Sequence, residues 1–180
     1  MNKIFFSLFF VMLFLLGCSQ KQDFIYIKEP QKFHFLKKCK KTVSLKEIQF
    51  PYYLEDGKIP YLKDGKINFF DEYYATDSEE FITKRAVKIL SRIFHDVKIY
   101  PWNDGDLILK IQIDELIAKK NKVFLQGFWI LRDKNNKILQ KYIYKKQMLI
   151  KKLDVKEVVL AMQVLFDQFI NDISRKICGI

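Results

Sequence analysis

Between residues 107 and 150 the chain alternates apolar and polar side chains at period two in three successive stretches, and few folds accommodate that pattern. Leu107, Leu109, Ile111 and Ile113 alternate with Ile108, Lys110 and Gln112. Residues 123–131 continue with Val123, Leu125, Gly127, Trp129 and Leu131 on one side and Phe124, Gln126, Phe128 and Ile130 on the other. After a polar turn at 133–137, residues 138–150 set Leu139, Lys141, Ile143, Lys145 and Gln147 against Ile138, Gln140, Tyr142, Tyr144 and Met148. Three such strands in a row predict an antiparallel meander. One side of that sheet needs an apolar cover, and the next segment supplies it. Asp154 with Glu157 is a helix-capping pattern, and Val155, Val158, Val159, Met162, Leu165, Phe166, Phe169, Ile173 and Ile177 hold a helical stripe for about six turns.

The upstream half adds strands and a second helix. Residues 32–36 (KFHFL) alternate and predict a first strand, in which His34 has no partner motif and is structural. Residues 42–50 predict another, with Val43, Leu45 and Glu47 opposite Ser44, Lys46 and Ile48. Asp64-Gly65 fits a tight hairpin between residues 59–62 and 67–70, while Pro51 and Pro60 keep this region from being a central strand throughout. The many rings here, Tyr52, Tyr53, Tyr61, Phe69, Phe70, Tyr73 and Tyr74, are read mainly as packing and secondarily as a contact surface. A helix is predicted from Ser78 to Phe94 behind an Asp77 cap, with Ile82, Ala86, Ile89, Leu90 and Ile93 as its stripe and His95 against its last carbonyls. Residues 97–100 form a short strand closed by Pro101-Trp102. The whole predicts an α+β fold: a two-layer sandwich of largely antiparallel sheet with two helices packed on one face.

The N-terminus determines location. Lys3 precedes an unbroken apolar run over residues 4–16, then Gly17 and Cys18. Such a run is shorter than the roughly 20 residues a membrane-spanning helix needs, and reads as a secretion signal. Leu15-Leu16-Gly17-Cys18 is a lipobox pattern that makes Cys18 the lipid attachment site; an ordinary signal peptide and an uncleaved anchor are the competing readings. Residues 1–17 would be removed, 18–31 would tether the acylated N-terminus, with Phe24, Ile25 and Ile27 available for a short edge strand, and 32–180 would form a single domain. Ser19 after the cysteine, rather than Asp, favours the outer membrane if the cell has two.

The net charge of +11 includes Lys3, so the remaining chain carries +10, distributed as isolated lysines. In an exported protein that charge points to anionic lipid headgroups or to solubility rather than to nucleic acid. Cys39 and Cys178 are open to two readings, a disulfide or two separately buried thiols. The sequence shows no phosphate loop, nucleophile elbow, paired His or clustered ligand set, so neither catalysis, a cofactor nor a metal is expected. Asp71-Glu72 and Glu79-Glu80 are explained by their position before and within a helix's first turn.

In order, the lipobox, the KFHFL strand, Pro51-Tyr52-Tyr53-Leu54, Tyr100-Pro101-Trp102, Phe128-Trp129-Ile130-Leu131 with Asp133, and the long terminal helix resemble the ABC-type transport auxiliary lipoproteins of the paraquat-inducible protein C type. The family tends to carry a Trp before its first helix, where this chain offers Tyr73 or Tyr74. The resemblance implies a non-catalytic outer-membrane lipoprotein working beside an MCE-domain protein and an ABC permease and ATPase in phospholipid transport, and leaves a homo-oligomer open. The alternative is a lipopolysaccharide-assembly lipoprotein bound to an outer-membrane barrel. The candidate partner or lipid surface comprises Phe124, Phe128, Ile130, Tyr52, Tyr53 and Trp102.

Overall fold

The computed structural model describes residues 24–25, 30, 39–54, 57–74, 78–99 and 105–179. Eight strands form one sheet: β1 (Phe24–Ile25), β2 (Cys39–Gln49), β3 (Lys58–Lys63), β4 (Lys66–Tyr74), β5 (Phe94–Ile99), β6 (Leu107–Lys119), β7 (Lys122–Asp133) and β8 (Ile138–Leu149). Two helices, α1 (Ser78–Leu90) and α2 (Val155–Cys178), pack against it, which is the α+β sandwich expected. The predicted strand at 32–36, the Asp77 cap and the Pro101-Trp102 closure lie outside the described residues. β1 pairs in parallel with Tyr73 and Tyr74 of β4, so the sheet already begins within the stretch read as a tether.

β6 is the strand on which the sheet is built. Along one edge it carries β7 antiparallel over its whole length, and β7 carries β8 likewise. Its other edge is shared: β2 runs parallel to the first half, from Val43 beside Leu107 to Gln49 beside Gln112, and β3 runs parallel to the end, with Tyr61 beside Ala118. The sheet is therefore mixed, with its longest ladders antiparallel. Between β2 and β3 the Leu116 N–H would face no strand, and the Tyr53 hydroxyl, held by the 3-10 turn Tyr52–Leu54, accepts it at 3.2 Å. Where β2 enters, Gly105 N–H donates to the buried Ser44 Oγ at 3.1 Å and Asp106 accepts from Thr42 N–H at 2.9 Å. The β3–β4 connection is the two-residue turn Asp64-Gly65, both residues left-handed (φ 52° and 75°), as a type I′ hairpin requires.

Three sequence-based readings are corrected. The buried apolar set of β2 is Val43, Leu45 and Ile48, so Ile48 does not lie opposite Val43 and Leu45 as strict alternation had it, because the register shifts between Leu45 and Ile48 and the irregularity moves the next apolar side chain inward. α1 ends at Leu90, not Phe94. A turn at 91–93 follows, with Ile93 still fully buried, so the apolar spacing persists while the helix does not. His95 is consequently an exposed residue of β5 rather than a helix cap.

α2 begins and ends as its sequence dictates. Asp154 accepts from Glu157 N–H at 3.0 Å, and Gly179 closes the helix in the left-handed conformation with its N–H donating to the Arg175 carbonyl. Lys152, 2.8 Å away, and the capped N–H hold the Asp154 carboxyl below the usual carboxylate range, so the cap remains charged as pH falls toward that range. Under the helices lie Leu109, Ile111, Ile113, Leu125 and Trp129 of the sheet, with Leu165, Phe169 and Ile173 of α2. A polar stripe interrupts the helix face: Gln163, Asp167, Asn171 and Ser174 are all buried. Asp167 accepts two hydrogen bonds from Arg85 of α1, from Nε at 2.6 Å and from Nη2 at 2.8 Å, which ties the two helices together in a dry setting. Ser174 turns its hydroxyl back onto the Ile170 carbonyl.

Gly127 lies where β6 leaves no room for a side chain on β7. It pairs with Ile113 beside the bulge of β6, and a Cβ added there would fall on the Gln112 carbonyl oxygen and within 3.0 Å of Ile113 Cα. Gly127→Ala is expected to cost about 1–3 kcal/mol through forced separation of β6 and β7, read as a lowered urea midpoint. A midpoint equal to the parent's would show that the two strands can part without cost.

Candidate functional site

The strict alternation of β7 sends Val123, Leu125, Gly127, Trp129 and Leu131 under the helices and Phe124, Phe128 and Ile130 to the opposite side, where no helix of the described residues packs. Those three, singled out from sequence, do share one face. They are half-buried by their own neighbours rather than by a second layer of described structure. Pairing extends the face sideways: Phe124 lies beside Ile117 and Gln147, Phe128 beside Gln112 and Ile143, Ile130 beside Lys110 and Lys141, Gln126 beside Lys145, and Lys122 beside Lys119 and Leu149. Ile108 and Ile117 are buried on this side, separate from the helix-covered core.

Cations surround the apolar centre. Lys119 Nζ lies 5.1 Å from the Phe124 ring centre and also pairs with Glu115, and Lys141 Nζ lies 5.5 Å from that of Phe128. The face formed by β6, β7 and β8 carries Lys110, Lys119, Lys122, Arg132, Lys141 and Lys145. Its carboxylates among the described residues are Asp114, which accepts from the Gln112 amide, and Glu115. Lys110, Lys122 and Lys145 have no carboxylate partner among the described residues. Two aliphatic side chains stand between them almost bare: Ile143 is 71% exposed and Leu149 69%. An apolar strip set among cations, with no second layer of described residues over it, is uncommon on a free surface and makes this the candidate binding face.

The other sequence candidates separate. Tyr52 is 75% exposed at the 3-10 turn, whereas its neighbour Tyr53 packs on the core, its phenol pushed above the ordinary value by burial, and serves β6 as described. Cys18 and Trp102 lie outside the described residues. Cys39, at the start of β2, and Cys178, in the last turn of α2, are joined in a disulfide with Cα atoms 5.7 Å apart. On the helix side, Tyr144 stacks on Phe169 at 4.6 Å, and burial and the Asp172 charge raise its phenol far above the ordinary range. Among the described residues no group of three or more His, Cys, Asp and Glu could share a metal ion, and no helix is long and apolar enough to cross a membrane.

The lysines of the open face, with Ile143 and Leu149, escaped the sequence reading of the surface. Their signal was the alternation of β8, which becomes a surface only once its register against β7 is known. The Arg85–Asp167 pair was also missed; the four-residue spacing of Gln163, Asp167 and Asn171 within an apolar helix was its trace.

Comparison with known proteins places the fold and no more. No family model matches the sequence, and no curated protein matches it. The crystal structure of an uncharacterized protein superposes with a TM-score of 0.68 at 16% identity, covering 83% of this chain and 99% of that one. Protein XCC0632 from Xanthomonas campestris, of family DUF330, superposes with a TM-score of 0.69 at 8% identity, covering 86% of this chain and 91% of that one. At such identities the likeness is one of architecture: the same two-layer arrangement is built in those proteins from almost entirely different side chains.

Proposed function

We propose that this chain is a membrane-anchored lipoprotein, acylated at Cys18, that acts without catalysis of its own as a periplasmic accessory component of an ABC/MCE-type phospholipid transport system at the outer membrane. The observation that carries this reading is the open face of β6, β7 and β8, an apolar and cationic surface opposite the helices over which no described residues form a second layer. It is the kind of surface on which a non-catalytic protein does its work by contact. The lipobox, the order of motifs from Pro51 to Asp133 and the two-layer fold support the same reading.

The test is purification of the C-terminally tagged chain from its own cells in mild detergent, with identification of the proteins recovered. An MCE-domain protein with its permease is the expected result. A large outer-membrane barrel with lipopolysaccharide would establish the competing assembly function. Phe128→Asp with Ile130→Asp is expected to reduce the phospholipid recovered with the chain at least tenfold while leaving the unfolding midpoint near the parent's, since neither side chain belongs to the helix-covered core. Undiminished recovery by the folded variant would remove this face from the proposal.

A further inference from the structure

On the reading that the open face is the working surface, its chemistry identifies what it meets. We infer that the face formed by β6, β7 and β8 docks flat on an anionic phospholipid bilayer, with Lys110, Lys122 and Lys145 at the headgroup phosphates and Ile143 and Leu149 entering the interface.

Three observations favour a lipid surface. The first is charge: among the described residues six cations stand against two carboxylates, both already engaged by Gln112 or Lys119, which leaves Lys110, Lys122 and Lys145, besides Lys141 over its ring, with no carboxylate partner. Lysines near an acidic membrane each contribute attraction without demanding fixed partner geometry, which suits a fluid array of phosphates. The second is the way apolar and cationic residues interleave. Ile143 stands between Lys141 and Lys145 on one side of β8, and Leu149 borders Lys122 of β7, so every exposed aliphatic has a cation within one strand spacing or one same-face step. A lysine stem can lie along apolar matter while its ammonium reaches upward to water or phosphate, the arrangement that interfacial surfaces use. The third is the state of the rings. Phe124 and Phe128 have Lys119 and Lys141 over them, so the large aromatic anchors typical of protein hot spots are occupied, and short aliphatics are what protrude. Shallow aliphatic insertion under a lysine layer matches a headgroup boundary better than a packed protein pocket.

The experiment uses the full chain with an environment-sensitive fluorophore on Ile143→Cys, and separately on Leu160→Cys, an exposed position of α2 on the opposite side of the molecule. Each is combined with phosphatidylcholine vesicles and with vesicles containing one-third phosphatidylglycerol. The Ile143 label is expected to shift to the blue with the anionic vesicles only, the Leu160 label with neither. The triple variant Lys110→Gln, Lys122→Gln, Lys145→Gln should weaken the response about a hundredfold, at about fivefold per lysine. High salt should reverse it. An unmoved Ile143 label, an equal shift with neutral vesicles, or a shift only when a protein partner is added would each overturn the inference, the last by assigning the face to protein. Recovery of the transport complex in the detergent experiment is independent of the vesicle result, so the failure of one reading is distinguishable from the failure of the other.

Discussion

Asp167→Ala is expected to remove about 3–5 kcal/mol from the stability of the domain, the loss typical of a buried ion pair deprived of one partner. Asp167 has no exposed side-chain surface and the Arg85 side chain only 4%, so the substitution removes, in a nearly dry setting, the carboxylate that accepts from Nε and Nη2 of the guanidinium. Much of the loss belongs to the desolvation of a buried cation that has lost this carboxylate rather than to the attraction itself. The companion Arg85→Met with Asp167→Leu therefore separates the two contributions. It exchanges both charges for apolar volume at the helix contact, and should recover most of the stability and even exceed the parent. Urea unfolding of the parent, the single and the double variant, compared at equal slope, measures this. A single variant with the parent's midpoint would mean that the pair is open to solvent and weak.

Loss of the disulfide has an effect of similar size through the unfolded chain. Cys39 and Cys178 are 139 residues apart, and a link across so long a loop restrains the unfolded ensemble by about 5 kcal/mol in the chain-entropy treatment. The variant Cys39→Ser, Cys178→Ser is thus expected to melt about 10–20 °C lower than the oxidised parent. A thiol reductant should bring the parent down to the variant and leave the variant unmoved. Coincident melting of parent and variant without reductant would show that the link restrains nothing.

What the sequence disclosed followed from periodicity. β7 reads at period two without interruption from Val123 to Leu131, and the apolar stripe of α2 repeats at helical spacing from Val155 to Ile177, so both elements and their inward faces were legible. Errors arose where burial and local conformation part. Ile93 and Phe94 are buried at the spacing of α1, yet the chain has already left the helix, because a turn and a strand start can present the same side chains to the core. On β2 an irregular register changed the phase, and alternation carries no notice of a bulge. Phe124, Phe128 and Ile130 were found because one strand holds them; the lysines around them belong to three strands, and their convergence depends on pairing. Arg85 and Asp167 meet across 82 residues, a proximity that no local pattern encodes. The parallel placement of β2 and β3 along one edge of β6 was likewise hidden, since hairpin signals report only antiparallel neighbours.

That shared edge sets a timetable. β2, β3 and β4 precede β6 in the chain, yet β2 and β3 both take β6 as a neighbour, and among the described residues β5 joins the sheet through β2. A ribosome releasing this chain from its N-terminus therefore exposes half the sheet before the strand that unites it exists. The cover comes later still, with α2, and Cys39 waits for the last turn of that helix. Such long-range pairings are slow to form and cannot be completed piecemeal. The sheet therefore cannot close before β6 has been made, nor the disulfide form before the last turn of α2 has.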